Sequence, residues 1–436
     1  MLLALLLSAN AAALGQDEAA SSTPRAPETT ELEKEFACPD HVSEPETTGA
    51  DPRCLELESV ERDDTADIDT ESTVDTAELR SGFIVTGDFR PLLNHVDRTN
   101  RAGEDSTDTT AQARLRLKGS ARLSDLIGVG ARVAGRCSSD DCDLEWVTAR
   151  AIPQQNGLEH GQFTFDEMYV HFFRTNRFDL TLGRQQTRMV LRGGVFSRSL
   201  DRNNSNNTNI TWTDGAHFAL RQRWGWDGHV IIDHNTAGGS GSVRRGQLDF
   251  TPSSARTSYY VGSEKLVPLG PIVQRSVSIT YLPNALMVDG EVDGRRESYI
   301  GYVGRMAFRW PLQTSGPFFR GGFEVGYAPN VPTPEGANLA SEVDGLAWNV
   351  TASIMQFRPD QNIGLNYSRT GAGWLLSPNY VQNEQAIELR YQWRPQDRPA
   401  IDLRIRWRED IEQLTTANQK RERFDAFLRL TWQFGR

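Results

Sequence analysis

Between Ile401 and Arg408 the chain reads IDLRIRWR. Asp402, Arg404, Arg406 and Arg408 fall at every second position, which on a strand puts all four on one face. A guanidinium is a planar fork of donors suited to carboxylate and phosphate. A row of such forks facing water lowers the energy of an anion and repels a cation. The pattern recurs. Glu388, Arg390, Gln392 and Arg394 alternate with Ile387, Leu389, Tyr391 and Trp393. Arg320 and Glu324 oppose Phe319, Phe323, Val325 and Tyr327, and Asn349, Thr351 and Ser353 oppose Leu346, Trp348, Val350, Ala352 and Ile354. Carried along the chain, this register turns inward Arg90, Arg114, Arg116, Arg132, Arg136, Arg221, Arg223, Arg305, Arg309, Arg320, Arg390, Arg404, Arg406, Arg408, Arg423 and Arg429. The inward acids are fewer: Asp88, Glu324, Glu388, Asp402 and Asp425. An anion-preferring channel is one reading. The other is a generic wet interior whose arginines pair with acids and backbone carbonyls.

Other residues offer less chemistry. The segment Gln186 to Ile210 mixes apolar and basic residues. It either folds inward as a constriction carrying Arg188, Arg192, Arg198 and Arg202, or stays outside as an external loop. Four cysteines form two local pairs, Cys38 with Cys54 and Cys137 with Cys142, which reads as two disulfides in an oxidising compartment. No histidine stands at ligand spacing beside either pair, and CxxC spacing is absent, so no metal site is expected. Asp140, Asp141 and Asp143 beside the second pair lack the calcium-loop spacing and its glycine, and read as a solvated tip. The seven histidines are His41, His95, His160, His171, His217, His229 and His234. With no Gly-x-Ser-x-Gly motif and no phosphate loop, a membrane lipase or protease is a minor alternative. No cofactor is implied. No basic cluster with interleaved aromatics suggests nucleic-acid binding.

The elements that hold these residues must be strands. The hydrophobic fraction is 38%, the mean hydropathy −0.52, and no run reaches the roughly 18 apolar residues of a membrane helix. A membrane β-barrel escapes that test, because its segments alternate. The net charge of −11 is set by one segment: Gln16 to Glu78 holds 20 Asp and Glu against 4 Lys and Arg, leaving +5 elsewhere. Residues 1–15, MLLALLLSANAAALG, read as a secretory signal with an Ala-x-Ala-like site, although no basic residue precedes the apolar run. Residues 16–79, rich in Glu, Asp, Thr, Ser and Pro, read as a disordered acidic periplasmic tail.

Residues 80–436 read as a transmembrane antiparallel β-barrel of all-β class. Seventeen strand candidates run from Gly82–Pro91 to Phe424–Phe434, joined by alternating long and short connections. Outer-membrane barrels have that asymmetry, and even strand numbers. A turn at Pro283-Asn284 followed by a strand over Ala285 to Glu291 gives 18, the preferred count. Dropping Gly246–Phe250 gives 16. Trp393, Trp407 and Trp432 fall where aromatic girdles would meet both interfaces.

The segments FDLTLGRQQ (Phe178 to Gln186), AIELRYQW, IDLRIRWR and LTWQF resemble those of large outer-membrane porins grouped with the phosphate-selective and alginate-export channels. In that group the final strand ends on the aromatic, whereas here Gly435 and Arg436 follow Phe434. The resemblance implies an outer-membrane porin of a Gram-negative bacterium. Its partners would be outer-membrane lipid, the barrel assembly machinery and small anionic or polar solutes, and a homotrimer is compatible with it. An acidic polysaccharide as cargo, or a structural barrel, are the alternatives.

Overall fold

The computed structural model describes residues 83–435, apart from 149–157, 175–176, 197, 205–209, 222–224, 236–244, 251–254, 292, 312–315 and 397. Residues 1–15, expected as a leader, the acidic segment (16–79), with Cys38 and Cys54 in it, and Arg223 lie outside the described residues.

Alternation of apolar and polar residues produces seventeen strands and, among the described residues, no helix. They are β1 (Phe83–Thr99), β2 (Asp105–Ser124), β3 (Ile127–Ser138), β4 (Glu145–Trp146), β5 (Gln162–Arg174) and β6 (Phe178–Gln185). Next come β7 (Thr213–Arg221), β8 (Asp227–His234), β9 (Thr257–Lys265), β10 (Ile272–Met287), β11 (Arg296–Trp310) and β12 (Phe318–Tyr327). The last are β13 (Leu346–Arg358), β14 (Gln361–Thr370), β15 (Glu384–Trp393), β16 (Ala400–Asp410) and β17 (Glu422–Phe434). Each pairs antiparallel with its chain neighbours, except β4, two residues that pair parallel to β5 while β3 joins β5 directly. The sheet closes where β1 meets β17, from Gly87↔Phe434 to Thr99↔Glu422. The wall therefore has 16 staves.

The expected 18 is corrected by β10. Pro283 and Asn284 make no reversal. The strand runs through them, and the ladder to β11 steps between Leu282↔Tyr299 and Leu286↔Glu297. Asn284, with φ of 49°, takes up the step as a bulge. Proline fits there because it has no ladder hydrogen bond to lose. The candidate strand Gly246–Phe250 contributes a single bridge, Leu248↔Leu286, and no stave.

One stretch expected as a long loop is mostly strand. Leu92 to Thr110 continues β1 and β2 as a hairpin, paired through Thr99↔Asp105. Its outward apolar residues stop at Leu93 on β1, beyond which His95, Asp97 and Thr99 face outward. Cross-strand hydrogen bonds replace packing there: Thr99 Oγ1 donates to Asp105 (2.6 Å), Thr107 Oγ1 to Asp97 (2.7 Å) and Arg98 Nε to Ser106 (2.8 Å). The expected long loop Glu409 to Arg423 is a loop over residues 411–421.

The outer surface carries Phe89, Leu115, Leu117, Val261, Ile279, Val350, Leu365, Leu389, Ile405 and Leu428, all exposed. In water such a belt would not persist, whereas against lipid it is the favoured solvent contact. Aromatics mark both ends of the belt: Trp310 and Trp432 toward the short turns, Tyr327 and Phe424 toward the long loops. Short turns and both barrel termini share one end of the sheet, and long loops the other.

A charge in this belt tests its assignment. Leu389→Arg, at the middle of β15, should lower stability in liposomes by about 2–4 kcal/mol. The shift of the urea midpoint for loss of the compact, heat-modifiable form measures it, and an unchanged midpoint would place Leu389 away from the hydrocarbon.

Candidate pore lining and constriction

The inward positions of β15, β16, β17, β1, β2 and β3 hold the arginines. Eleven of them (Arg90, Arg114, Arg116, Arg132, Arg136, Arg390, Arg404, Arg406, Arg408, Arg423 and Arg429) are at most 6% exposed. The sheet sets like charges face to face: Arg390↔Arg404, Arg408↔Arg423, Arg90↔Arg114 and Arg114↔Arg136. Such pairs alone are destabilising. Carboxylates between the rows offset them. Asp425 lies under Arg404 (2.6 Å), Arg406 (3.1 Å), Arg408 (3.2 Å) and Arg423 (3.6 Å). Asp88 accepts from Arg114 (2.6 Å) and Arg116 (2.9 Å), and Asp402 from Arg429 (2.9 Å) and Arg394 (3.3 Å). Arg404 also stacks 4.3 Å from the ring of Phe427, an inward aromatic that separates guanidiniums without adding charge.

Eight buried carboxylates serve this wall among the described residues: Asp88, Asp166, Glu167, Glu384, Glu388, Asp402, Asp410 and Asp425. Eleven arginines exceed eight acids, and Lys118, Arg394 and Arg421 beside them widen the excess. The arginines are paired, and among these groups cations outnumber acids. Asp166 and Glu167, which the alternation did not mark as inward, both reach Arg132, at 2.8 and 3.0 Å. A register step between Arg132↔Glu167 and Val133↔Phe165 makes this possible by turning two consecutive residues to the same face.

The segment after β6 folds into the barrel. It binds inward side chains of five staves, three through its backbone and two through ion pairs. Arg192 N donates to Gln274 (2.7 Å) on β10, Leu200 N to Glu324 (2.7 Å) on β12 and Val195 N to Ser353 (3.2 Å) on β13. Asp201 pairs with Arg305 (3.1 Å) on β11, and Arg198 with Glu388 on β15. Close approach requires glycine at the contact: a Cβ on Gly193 would sit 2.0 Å from Thr351 Oγ1, and one on Gly364 of β14 2.4 Å from Val195.

The segment between β14 and β15 also turns inward, which its length alone did not reveal. Trp374 is fully buried and its indole donates to Leu200 O (3.1 Å), while Ser377 Oγ donates to Ser199 O (2.7 Å). Arg245, after β8, donates to Tyr380 O (3.0 Å) and joins the same assembly. Around it lies an apolar cluster of Leu200, Leu248, Phe250, Leu286, Tyr299 and Trp374. The sequence signal was Trp374-Leu375-Leu376, an apolar triplet in a connection otherwise read as exposed.

The remaining candidates fall in three places. Arg305 and Arg320 lie buried beneath the inward segment. Arg202 joins that segment to Asp233 (3.5 Å), whereas Arg188 and Arg192 are half-buried. Arg221 sits at the short-turn end, its side chain 61% exposed, bound to Asp179 (3.1 Å). Cys137 and Cys142 are joined as a disulfide.

No family model matches the chain, and no curated protein matches it significantly. Solved structures do. An anion-selective porin from Comamonas acidovorans aligns with a TM-score of 0.51 and 12% identity, over 81% of this chain and 100% of that one. OprB of Pseudomonas putida aligns with a TM-score of 0.52 and 12% identity, over 83% and 97%. At this identity the likeness concerns the fold, which is the closed antiparallel 16-strand barrel of porins.

Two measurements probe the site. Asp425→Asn leaves four guanidiniums around a neutral amide and should cost about 3–5 kcal/mol of stability in a urea titration, as for breaking a buried charge cluster. Replacing residues 190–203 by a short glycine linker should raise single-channel conductance several-fold. An unchanged value would mean that the segment does not limit flow.

Proposed function

We propose that this chain is an outer-membrane channel for small polar solutes, with a preference for anions. The observation that carries the reading is the division of charge across one sheet. The outward belt of β15, β16, β17, β1 and β2 presents Leu389, Ile405, Leu428, Phe89 and Leu117, and the inward face of the same strands presents the arginine lattice. Lipid outside accounts for the first, and an aqueous lane for the second.

The excess of cations favours anions in that lane. A passing carboxylate or phosphate can exchange places with Asp402 or Asp425 as partner to a guanidinium already desolvated and fixed by its neighbours. Ion passage needs sites that bind and release, and a lattice whose fixed acids compete with the solute supplies weak, repeated sites. The inward segments fill part of the lumen with apolar and hydrogen-bonded structure, which suits small solutes better than a polysaccharide. The short turns and termini belong on the periplasmic side by the usual asymmetry of such barrels.

The test is the reversal potential of the refolded chain in a planar bilayer under a potassium chloride gradient. Chloride preference is expected, reduced in Arg404→Ala/Arg406→Ala. Preference for potassium, or full selectivity in the double variant, would refute the reading.

A further inference from the structure

Toward the short-turn end of β5 to β9 the inward positions carry histidine and carboxylate. The rows are His171↔Thr181↔His217 and Asp179↔Ala219↔His229. They face the lumen, since the first continues through Ile231 and Tyr260, both buried. His217 Nε2 and His229 Nδ1 are 3.2 Å apart. His229 Nε2 lies 3.7 Å from Glu264 Oε1 on β9, and His171 Nε2 lies 3.6 Å from Asp179 Oδ1. Arg221 pairs with Asp179, and Asp227 lies within electrostatic reach of His229, Arg221, Glu264 and Asp179. Arg192 of the inward segment and Arg305 of β11 face Glu264. All three histidines are half-buried.

This cluster touches the constriction. Gln274 Nε2 donates to Glu264 Oε2 (3.5 Å) and to Val190 O (2.8 Å), and its Oε1 accepts from Arg192 N (2.7 Å). The histidine pair is thus two side chains away from the segment that fills the lumen.

We propose that His217 and His229 form a proton-binding element that increases the channel's anion preference as pH falls; this rests on the anion-channel reading above. Histidine is the side chain that changes charge between about pH 5 and 8. A hydrogen bond between two ring nitrogens needs one donor and one acceptor, so the facing atoms share one proton. With the rings neutral, the groups around them are Asp179, Asp227 and Glu264, with Arg221 beside Asp179 and with Arg192 and Arg305 within reach of Glu264. Acidification adds a positive charge to the pair beside those acids. The charged ring keeps its hydrogen bond to the neutral one, and Glu264 beside His229 gains a cationic neighbour in competition with Gln274. The negative charge on this stretch of wall is thereby reduced. A unit charge about 8 Å from the lane in a water-like medium changes relative ion occupancy about twofold.

The experiment compares chloride-to-potassium permeability ratios of the full chain in planar bilayers at about pH 7.5 and about pH 5. The wild type should gain at least about twofold on acidification. His217→Gln/His229→Gln should keep its neutral-pH ratio and lose most of the gain, and each single variant should lose about half. Asp179, Asp227 and Glu264 remain in all variants, so carboxylate titration contributes equally throughout. An equal gain with and without the pair, or no gain in the wild type, overturns the proposal. The neutral-pH ratio and its response to Arg404→Ala/Arg406→Ala judge the channel reading separately. The single variants, each retaining one ring, decide the matter if the double variant does not insert.

Discussion

In hydrocarbon a backbone amide has no water to bind, so a sheet crossing a membrane cannot keep an edge. The seam between β1 and β17 meets that condition, and most of the other features follow from it. Closure fixes an inside and an outside for every residue, because the side-chain period is two. One alternating sequence thereby generates an apolar belt and a charged lining. Closure also forces an even number of staves when both barrel termini lie at the same end. That is why the bulge at Pro283-Asn284 can disturb the ladder without adding a strand.

Inside, the problem is reversed. A row of arginines on adjacent strands repels itself unless something stands between the charges. Asp425 and Asp88, each under several guanidiniums, and Phe427 between them, make the row tolerable. Acids in slight deficit hold the arginines in place while leaving the wall positive. Across the lumen the inward segments rest on glycines and short polar side chains of β12, β13 and β14, where a larger residue would hold them off. The Arg198–Glu388 pair joins these segments to the charged wall.

Much of this was legible in the sequence, for identifiable reasons. Alternation exposed the strands and the two faces, since both are local properties. One connection was misread. The stretch Leu92 to Thr110 is polar because it leaves the lipid, and polarity was read as loop although it pairs through Thr99↔Asp105. Strand count failed at Pro283, where turn chemistry and bulge chemistry use the same residues. The direction taken by residues 186–212 and 371–383 could not be read, because it depends on partners far along the chain. Gly193 meets Thr351, and Trp374 meets Leu200. Asp166 was hidden by a register step, which inverts the very alternation used to find inward residues.

The hairpin of β1 and β2 and the neighbouring ends of β16 and β17 continue as a paired sheet past the last apolar outward residues. Arg101 is tied to Asp410 at 2.7 Å and Asn418 Nδ2 to Ala102 O at 3.0 Å. That part of the rim has already given up its conformational entropy. A macromolecule docking there has little ordering cost to meet, so recognition can rest on few contacts. Such a patch would favour binders selected for one fixed shape, and a single Thr or Asp substitution on it would suffice to escape them.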